Sequence, residues 1–360
     1  MGSLSIQIIG IVNLVIQMLL LNTAARMDHL PQRIVDMIKK DINGINGRQT
    51  QWTADFNYFL YMKKDYILPR VGSNTPPSKL ATINEPKVSL EKGKVNKDKP
   101  IPESFDARKN WPHCAKVIGN VYDQSYCESN WAVAPAAAFS SRYCIASYEN
   151  DNQKTFMLSA EDLMTCCDNC KDGGKNSDSC HGGYVDEAWT FINQYGLVTG
   201  GIYGSQDSCK PYSIAPCPSS PFGECSEERP RGCQTKCTNH QYSINDYRSD
   251  KIYGEKPYYL DNHEDVQRDI MTYGPLTASF RFSDDFPYYK KGIFTHVYGS
   301  LEKRYHTAVL IGWGKENGID YWLAINTWNS SWGEDGTVRI DRTHNNCQFG
   351  FFMASVPKVN

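Results

Sequence analysis

Cysteine thiols carry the most evident chemistry in this chain of 360 residues. There are 13 of them, and all lie between Cys114 and Cys347. Thiols pair as disulfides, bind zinc or, as thiolates, act as nucleophiles. Two groups are clustered enough to supply zinc ligands: Cys166, Cys167, Cys170, Cys233 and Cys237. Zinc sites usually show two CxxC-like pairs or accompanying histidines. A disulfide framework that leaves one thiol over is therefore the preferred interpretation.

A disulfide framework requires an exported chain, and the N-terminus is typical of one. Residues 8–21 form a mostly apolar run, and Thr23 and Ala25 stand at the −3 and −1 positions of a cleavage site. The run is short for a membrane span, so residues 1–25 are predicted to be a secretory signal peptide. No Lys or Arg precedes the run, which leaves an uncleaved anchor or a misassigned start as alternatives.

Composition excludes several classes of protein. With 38 Lys and Arg against 40 Asp and Glu, the formal charge is −2, whereas nucleic-acid binders usually carry clustered excess basicity. A hydrophobic content of 40% excludes a mostly disordered chain. A mean hydropathy of −0.53 excludes a multi-span membrane protein. We expect no nucleic-acid partner, no metal ion, no cofactor and no membrane contact once the signal is removed.

The rest of the chain divides into a leader and a body. Residues 26–99 lack cysteine, and the apolar positions 34, 35, 37 and 38 are spaced for one face of a helix. The segment 79–99 is rich in lysine and is predicted to be an exposed, protease-accessible linker. Residues 100–360 are rich in Gly, Cys and aromatic residues. This organisation resembles that of a proenzyme.

The body is predicted to place helices before strands. Residues 130–145 are small and apolar, which is typical of a buried helix, although Pro135 interrupts it. Four short β-branched or aromatic runs predict strands at Gly274–Phe282, His306–Gly312, Asp320–Ile325 and Thr337–Ile340. This order predicts an α+β body with a helical lobe at about 100–245 and a β lobe at about 246–360. The helical lobe includes a loop at 209–237 that is predicted to be held by disulfide bonds.

Four stretches, in order along the chain, carry a family resemblance: DQSYCESNW (123–131), CCDNCKDGGKNSDSCHGGY (166–184), HTAVLIGWG (306–314) and YWLAINTWNSSWGEDG (321–336). Together they resemble the papain family of cysteine peptidases, and specifically its cathepsin B branch. SFDARKNWPHC (104–114) is similar to the start of that family's mature chain, and QWTADFNYF (51–59) to the short propeptide. The resemblance covers about 330 of the 360 residues.

The resemblance implies a papain-like fold of two lobes, one helical and one β-barrel-like, together with an N-terminal propeptide and a cleft that binds peptide or protein substrates. It implies His306 as general base, Asn326 as the residue that orients it, and Trp328 as the shield over their hydrogen bond. Gln124 takes the place of the oxyanion-hole side chain. Two further glycines, Gly182 and Gly183, take the places that offer backbone to an extended peptide.

The nucleophile of this pattern is missing. Cys127 matches the family's disulfide-bonded cysteine and Trp131 matches the tryptophan after the catalytic thiol, so Asn130 stands at the nucleophile position. A carboxamide is neither ionisable nor usefully nucleophilic. Ser129 lies next door, but successive side chains on a helix turn by about 100 degrees, which aims it away from His306.

The family pairing, carried over to this chain, uses 12 of the 13 cysteines. It implies six disulfides: Cys114–Cys144, Cys127–Cys180, Cys166–Cys233, Cys167–Cys170, Cys209–Cys237 and Cys217–Cys225. Cys347 is left as a free thiol.

Other positions also depart from the family. Ser125, Glu128 and Tyr305 replace glycines beside the site. The loop between Cys217 and Cys225 lacks the histidines that clamp a substrate's C-terminal carboxylate in cathepsin B. Phe352 falls where cathepsin B has an acidic residue at the base of its S2 pocket, which predicts a preference for apolar P2 side chains.

These features favour a secreted or lysosomal cathepsin B-like pseudopeptidase that keeps its cleft but has lost turnover. Its expected partners are peptides or proteins, including cystatin-type inhibitors and active sister peptidases. One alternative is residual hydrolysis by water that His306 activates. Another is a structural or storage protein with a closed cleft.

Overall fold

The computed structural model describes residues 32–57, 60, 99–150, 153–174, 177–217, 225–226, 228–244, 246–344 and 347–359. The predicted signal peptide (1–25), nearly all of the linker 79–99 and the interior of the Cys217–Cys225 loop lie outside these residues. Within the described ranges, no helix is long and apolar enough to cross a membrane.

Seven α-helices and eleven strands occur in the described part of the chain. The helices are α1 Gln32–Asn46, α2 Ala107–Asn110, α3 Ala115–Ile118, α4 Asn130–Glu149, α5 Ala160–Cys166, α6 Val185–Tyr195 and α7 His263–Tyr273. The strands are β1 Trp52–Ala54, β2 Phe105–Asp106, β3 Met157–Leu158, β4 Thr199–Gly200, β5 Tyr258–Leu260, β6 Leu276–Ser283, β7 Tyr289–Phe294, β8 Leu301–Glu316, β9 Ile319–Ile325, β10 Thr337–Asp341 and β11 Gly350–Ala354. The predicted α+β class is confirmed.

Helix α4 forms the centre of the helical lobe. It was predicted over 130–145 and continues to Glu149, with Pro135 inside it. Nearly all of its side chains are buried, which explains why the sequence shows no polar face. The hydroxyls of Ser140 and Ser141 donate to carbonyls one turn earlier, at 2.6 and 2.9 Å, so these polar groups are satisfied inside the core. The packing fixes the N-terminus of α4, where Asn130 lies.

The β lobe is built on one large sheet. Its strand order is β1-β7-β10-β9-β8-β6-β11-β5, and β2 pairs with β8 outside this path. Among the described strands the path has two open ends, so the barrel-like lobe implied by the resemblance is an open sheet rather than a closed barrel. The four predicted strands correspond to β6, β8, β9 and β10. Strand β8 is much longer than predicted because its polar start, from Leu301 to Tyr305, also pairs with β6.

A buried ion pair joins the two lobes. Arg142, on α4, contacts the Asp269 carboxylate on α7, and both side chains are fully buried. Arg142 Nη1 also donates to the Tyr258 hydroxyl at 2.8 Å, and that hydroxyl donates to Asp269. A buried charge pair of this kind is tolerated only where its hydrogen bonds are complete. This buried network therefore fixes the position of the helical lobe relative to the β lobe.

The leader is part of the fold. Helix α1 buries Val35, Ile38 and Ile45, whereas Met37, which was predicted on the same apolar face, is exposed. Strand β1 then pairs antiparallel with β7, with Trp52 opposite Gly292. Gly292 has a φ of +100°, and a Cβ there would lie 2.6 Å from the Trp52 Cα, so only glycine permits this approach.

The structure pairs twelve cysteines in six disulfides, and they are the pairs that the resemblance implies: Cys114–Cys144, Cys127–Cys180, Cys166–Cys233, Cys167–Cys170, Cys209–Cys237 and Cys217–Cys225. The cysteines weighed as zinc ligands are all consumed by these bonds. Cys347 is free and buried, and burial raises the pKa of its thiol to about 12.

Candidate active site

His306 and Asn326 form the best-defined pair of the site. His306 lies in the middle of β8, and Asn326 directly follows the end of β9, the strand paired with β8. The His306 Nε2 and Asn326 Oδ1 atoms are 2.7 Å apart, and both side chains are buried. Asn326 Oδ1 also accepts from the backbone N–H of Thr327 at 2.8 Å. The amide oxygen is thereby held toward the imidazole, as an orienting role requires.

Aromatic rings enclose this pair. The Trp328 ring lies 5.0 Å from the imidazole centroid, and those of Phe280 and Phe286 lie 5.5 and 6.0 Å away. Rings at these distances exclude water from the imidazole–amide hydrogen bond. The position of Trp328 is the one expected of a shield.

Asn130 meets the His306 strand from the opposite lobe. It is the first residue of α4 and is fully buried. Its Oδ1 accepts from the backbone N–H of Thr307, the residue after His306, at 3.3 Å. The structure therefore brings together Asn130 and His306, which are 176 positions apart in the sequence.

Gln124 is tied into the same region. Its Nε2 donates to the Cys127 carbonyl at 2.7 Å, and its Oε1 accepts from the Thr327 hydroxyl at 2.5 Å. Its backbone N–H donates to the Thr327 carbonyl at 2.9 Å. Because Thr327 follows Asn326, these bonds connect the loop before α4 to the loop that orients His306. Gln124 thus lies beside the residue that follows Asn326, and the oxyanion-hole role implied for it stays a prediction.

Ser129 is directed away from the histidine, as the helical rotation predicts. Its hydroxyl lies 2.8 Å from that of Tyr212, which in turn donates to the Gln124 carbonyl at 3.1 Å. Ser129 therefore supports the loop under the site and does not face His306.

Gly182 and Gly183 belong to the helical wall, which is the side of the site formed by the helical lobe. Each of the two positions favours glycine for a different structural reason. Gly182 has a φ of +93°, a conformation that favours glycine. A Cβ on Gly183 would lie 2.4 Å from the Cys170 carbonyl and 2.5 Å from the Trp131 ring. Close packing on Trp131 thus accounts for Gly183 without any bound peptide.

Phe352, which the resemblance places at the base of an S2 pocket, is buried in the β lobe, and its role in P2 preference stays a prediction. Its side chain is 3% exposed and packs against Trp322 and Phe349 inside the β lobe. The neighbouring Phe351, with a φ of +48°, instead contacts the ring of Tyr305, directly before His306. The pairing of β11 with β6 shifts between Gly350 and Met353. Such an irregularity changes which side chain faces outward, and a sequence read by alternation alone cannot show it.

Two of the residues that replace family glycines have a structural effect: Ser125 on the backbone conformation and Glu128 on the contact between the lobes. Ser125 adopts a φ of +57°, the left-handed conformation that disfavours side chains. Glu128 is buried, and its carboxylate accepts from Arg304 Nη1 at 3.0 Å. Sequence reasoning noted Glu128 but missed Arg304, because nothing in the local sequence marks a partner on the other lobe.

The comparisons with known proteins decide the family. The sequence pattern of the papain family cysteine proteases matches residues 101–355. The chain belongs to the papain family. It is 38% identical over 326 residues to cathepsin B-like cysteine proteinase 4 of Caenorhabditis elegans. The alignment covers 88% of this chain and 91% of that protein. It is 41% identical over 255 residues to cathepsin B-like cysteine proteinase 5 of the same organism, over 69% and 72% of the two chains.

Solved structures agree with this papain-family assignment. Procathepsin B S9 from Trypanosoma congolense superposes with a TM-score of 0.70 at 30% identity, over 92% of this chain and 99% of that one. Digestive procathepsin L 3 of Tenebrio molitor superposes with a TM-score of 0.60 at 22% identity, over 91% and 90%. The second likeness concerns the fold alone. Both are proforms, so the papain-like fold includes the leader.

The buried carboxyl of Glu128 gives this papain-family chain a pH dependence of stability. Burial raises the pKa of Glu128 to about 7, Arg304 acts against this, and Asp172 adds to it. Between its ordinary pKa of 4.5 and pH 7, the unfolded chain ionises this group while the folded chain keeps the proton. Its contribution to stability is therefore present below pH 4.5 and falls as the pH rises to about 7, by up to about 3 kcal/mol.

We expect Glu128→Gln to flatten this decline. Melting temperatures measured from pH 4.5 to 8 should fall less steeply for the variant than for the native chain. Glu161, whose pKa burial also raises to about 7, is present in both proteins and cancels in the difference. Parallel curves for the two proteins would contradict the assignment to Glu128.

Proposed function

We propose that this papain-family chain is a cathepsin B-like pseudopeptidase that binds peptides without cleaving them. The observation that carries the proposal is the position of Asn130. Its carboxamide begins α4 and contacts the strand of His306, where the family places a cysteine thiolate at a helix N-terminus. An amide forms no acyl-enzyme by the usual route.

The surrounding residues support loss of the nucleophile rather than loss of the site. The His306–Asn326 pair and the bonds of Gln124 are in place. Cys347 cannot serve instead, because it is buried and its pKa of about 12 keeps the thiol protonated. An inactive chain does not process itself, so we infer that another protease removes the leader wherever it is removed.

Two alternatives remain distinct hypotheses. Water activated by His306 could give weak hydrolysis, since an oxyanion hole and binding alone retain roughly 10³–10⁴-fold over water in a comparable hydrolytic triad. A closed-cleft structural protein is favoured by one observation, the Glu128–Arg304 ion pair that joins the lobes beside the site.

The proposed location is the secretory pathway, ending outside the cell or in the lysosome. Six disulfides support this, because such bonds persist in oxidising compartments. The proposed partners there are peptides, cystatin-type inhibitors and active sister peptidases.

Calorimetric titration with a cystatin-type inhibitor tests the proposal, since such an inhibitor occupies the cleft without needing a nucleophile. We expect a saturable complex with a Kd in the micromolar range or tighter. Absence of heat and of any complex by gel filtration, together with the same result for a peptide library, would favour the closed-cleft structural protein.

A further inference from the structure

The ion pair of Glu128 with Arg304 connects the helical lobe to the β lobe beside Asn130 and His306. Glu128 lies two residues before Asn130, and its backbone N–H donates to the Cys180 carbonyl at 3.1 Å, on the helical wall. Arg304 lies on β8, two residues before His306. The Glu128 Oε1 and Arg304 Nη1 atoms are 3.0 Å apart. The pair therefore lies two residues before Asn130 on one lobe and two residues before His306 on the other.

The two partners are unequally anchored. The Glu128 side chain is 9% exposed, whereas that of Arg304 is 48% exposed. The carboxyl is therefore fixed and desolvated, while the guanidinium remains half in solvent at the end of a flexible side chain. Because the guanidinium is half in solvent, water can solvate it when it leaves the pair. Its departure leaves a desolvated carboxylate that requires another cation.

The surroundings of Glu128 add negative charge. Asp172 raises the pKa of Glu128, and among the described residues Arg304 is the cation that lowers it. The backbone N–H of Asp172 donates to the Gly182 carbonyl at 3.0 Å, and its Oδ1 accepts from the Tyr184 hydroxyl at 3.3 Å. Asp172 thus belongs to the same wall as Gly182. Two carboxyl groups therefore lie on this wall, and one of them, that of Glu128, contacts the Arg304 guanidinium of the other lobe.

We propose that Glu128 is a specificity-determining residue that selects a Lys or Arg side chain in the bound peptide, which takes the place of Arg304. The inference rests on the proposed peptide-binding function. It concerns a position that is glycine in the family pattern, so it is a property of this chain. Arg304 then acts as an internal competitor that holds the carboxylate until a basic peptide arrives.

The test is fluorescence anisotropy of the full chain at pH 8, above the pKa of Glu128. The probes are labelled hexapeptides of Ala, Val and Leu in which each central position in turn carries Arg, its uncharged analogue citrulline, or Glu. At one position we expect the Arg peptide to bind about tenfold more tightly than the citrulline peptide, because only a charged guanidinium replaces the charge-assisted hydrogen bond that Arg304 gives up. The Glu peptide should bind most weakly there.

Single substitutions distinguish the contribution of Glu128 to peptide preference from that of Arg304. Glu128→Gln should bring the Arg-to-citrulline ratio close to one. Arg304→Ala removes the competitor and should raise the ratio when measured at about pH 9, because loss of the arginine raises the pKa of Glu128 further. Glu264→Gln is the matched control, because it removes an exposed ion pair with Arg268 on α7. This control should leave the ratio unchanged.

The outcomes are distinguishable. Measurable binding with equal affinity for Arg and citrulline at every position, or a preference that survives Glu128→Gln, overturns the inference and leaves peptide binding intact. No binding of any peptide at millimolar concentration contradicts the proposed function, and the inference fails with it.

Discussion

Asn130→Cys is expected to convert the chain into a peptidase whose kcat/KM on fluorogenic peptides exceeds that of the native chain by about 10³-fold or more. The new thiol would begin α4, where the helix dipole and a neighbouring imidazolium favour the thiolate. His306 is already oriented by Asn326 at 2.7 Å. The measurement is hydrolysis of a peptide panel, together with titration of the variant by a thiol alkylator.

Ser129→Cys is the matched control for Asn130→Cys. It places a thiol one position earlier, at a side chain that contacts the Tyr212 hydroxyl, and should remain silent. Adding His306→Ala to the Asn130→Cys chain should abolish its activity. Cleavage by the native chain that is lost in His306→Ala would contradict the pseudopeptidase proposal. An Asn130→Cys chain that reacts with no peptidyl epoxide would favour the closed cleft.

Trp52→Ala is expected to detach the leader from the β lobe at a cost of about 3–5 kcal/mol. The Trp52 side chain is buried, its ring lies 5.0 Å from that of Phe294, and its indole N–H donates to the Thr295 carbonyl at 2.9 Å. Truncation removes this packing and leaves a cavity. Limited proteolysis should cut the segment 32–60 rapidly in the variant and slowly in the native chain, and chemical denaturation should show the lost stability.

Met37→Ala provides the comparison, because Met37 lies on α1 in the same leader but is 47% exposed. Its proteolysis and denaturation curves should match those of the native chain within about 0.5 kcal/mol. Equal protection of the leader in the native and Trp52→Ala chains would show that β1 docking does not depend on this side chain.

Sequence patterns predicted the elements whose structure is determined by their own residue types. The buried helix at 130–145 was evident because small apolar residues fill all of its faces, and the strand at Thr337–Ile340 because β-branched residues lie between turn residues. The pair of His306 with Asn326 followed from motifs whose order along the chain matches the family. These predictions depend on neighbours in sequence or on a whole-family pattern.

Other features depend on distant residues, which the sequence alone does not bring together. Arg304 and Glu128 are 176 positions apart, and only the packing of two lobes places them in contact. Strand β1 was not predicted, because three residues acquire a strand conformation only when β7 offers its edge. The contact of Phe351 with Tyr305 was not predicted for a related reason, since an irregularity in the pairing of β11 alters which side chain faces the core.

The pairing of β1 with β7 has a consequence for the chain after maturation. Removal of the leader would reduce the nine-stranded sheet to eight strands and would leave the outer edge of β7 without a partner. An unpaired edge is a template on which another chain adds a strand, and natural proteins protect such edges with charge. Lys290 and Lys291 occupy the middle of β7. The leader therefore covers this strand edge, and Lys290 and Lys291 would be the charged residues on the edge without it.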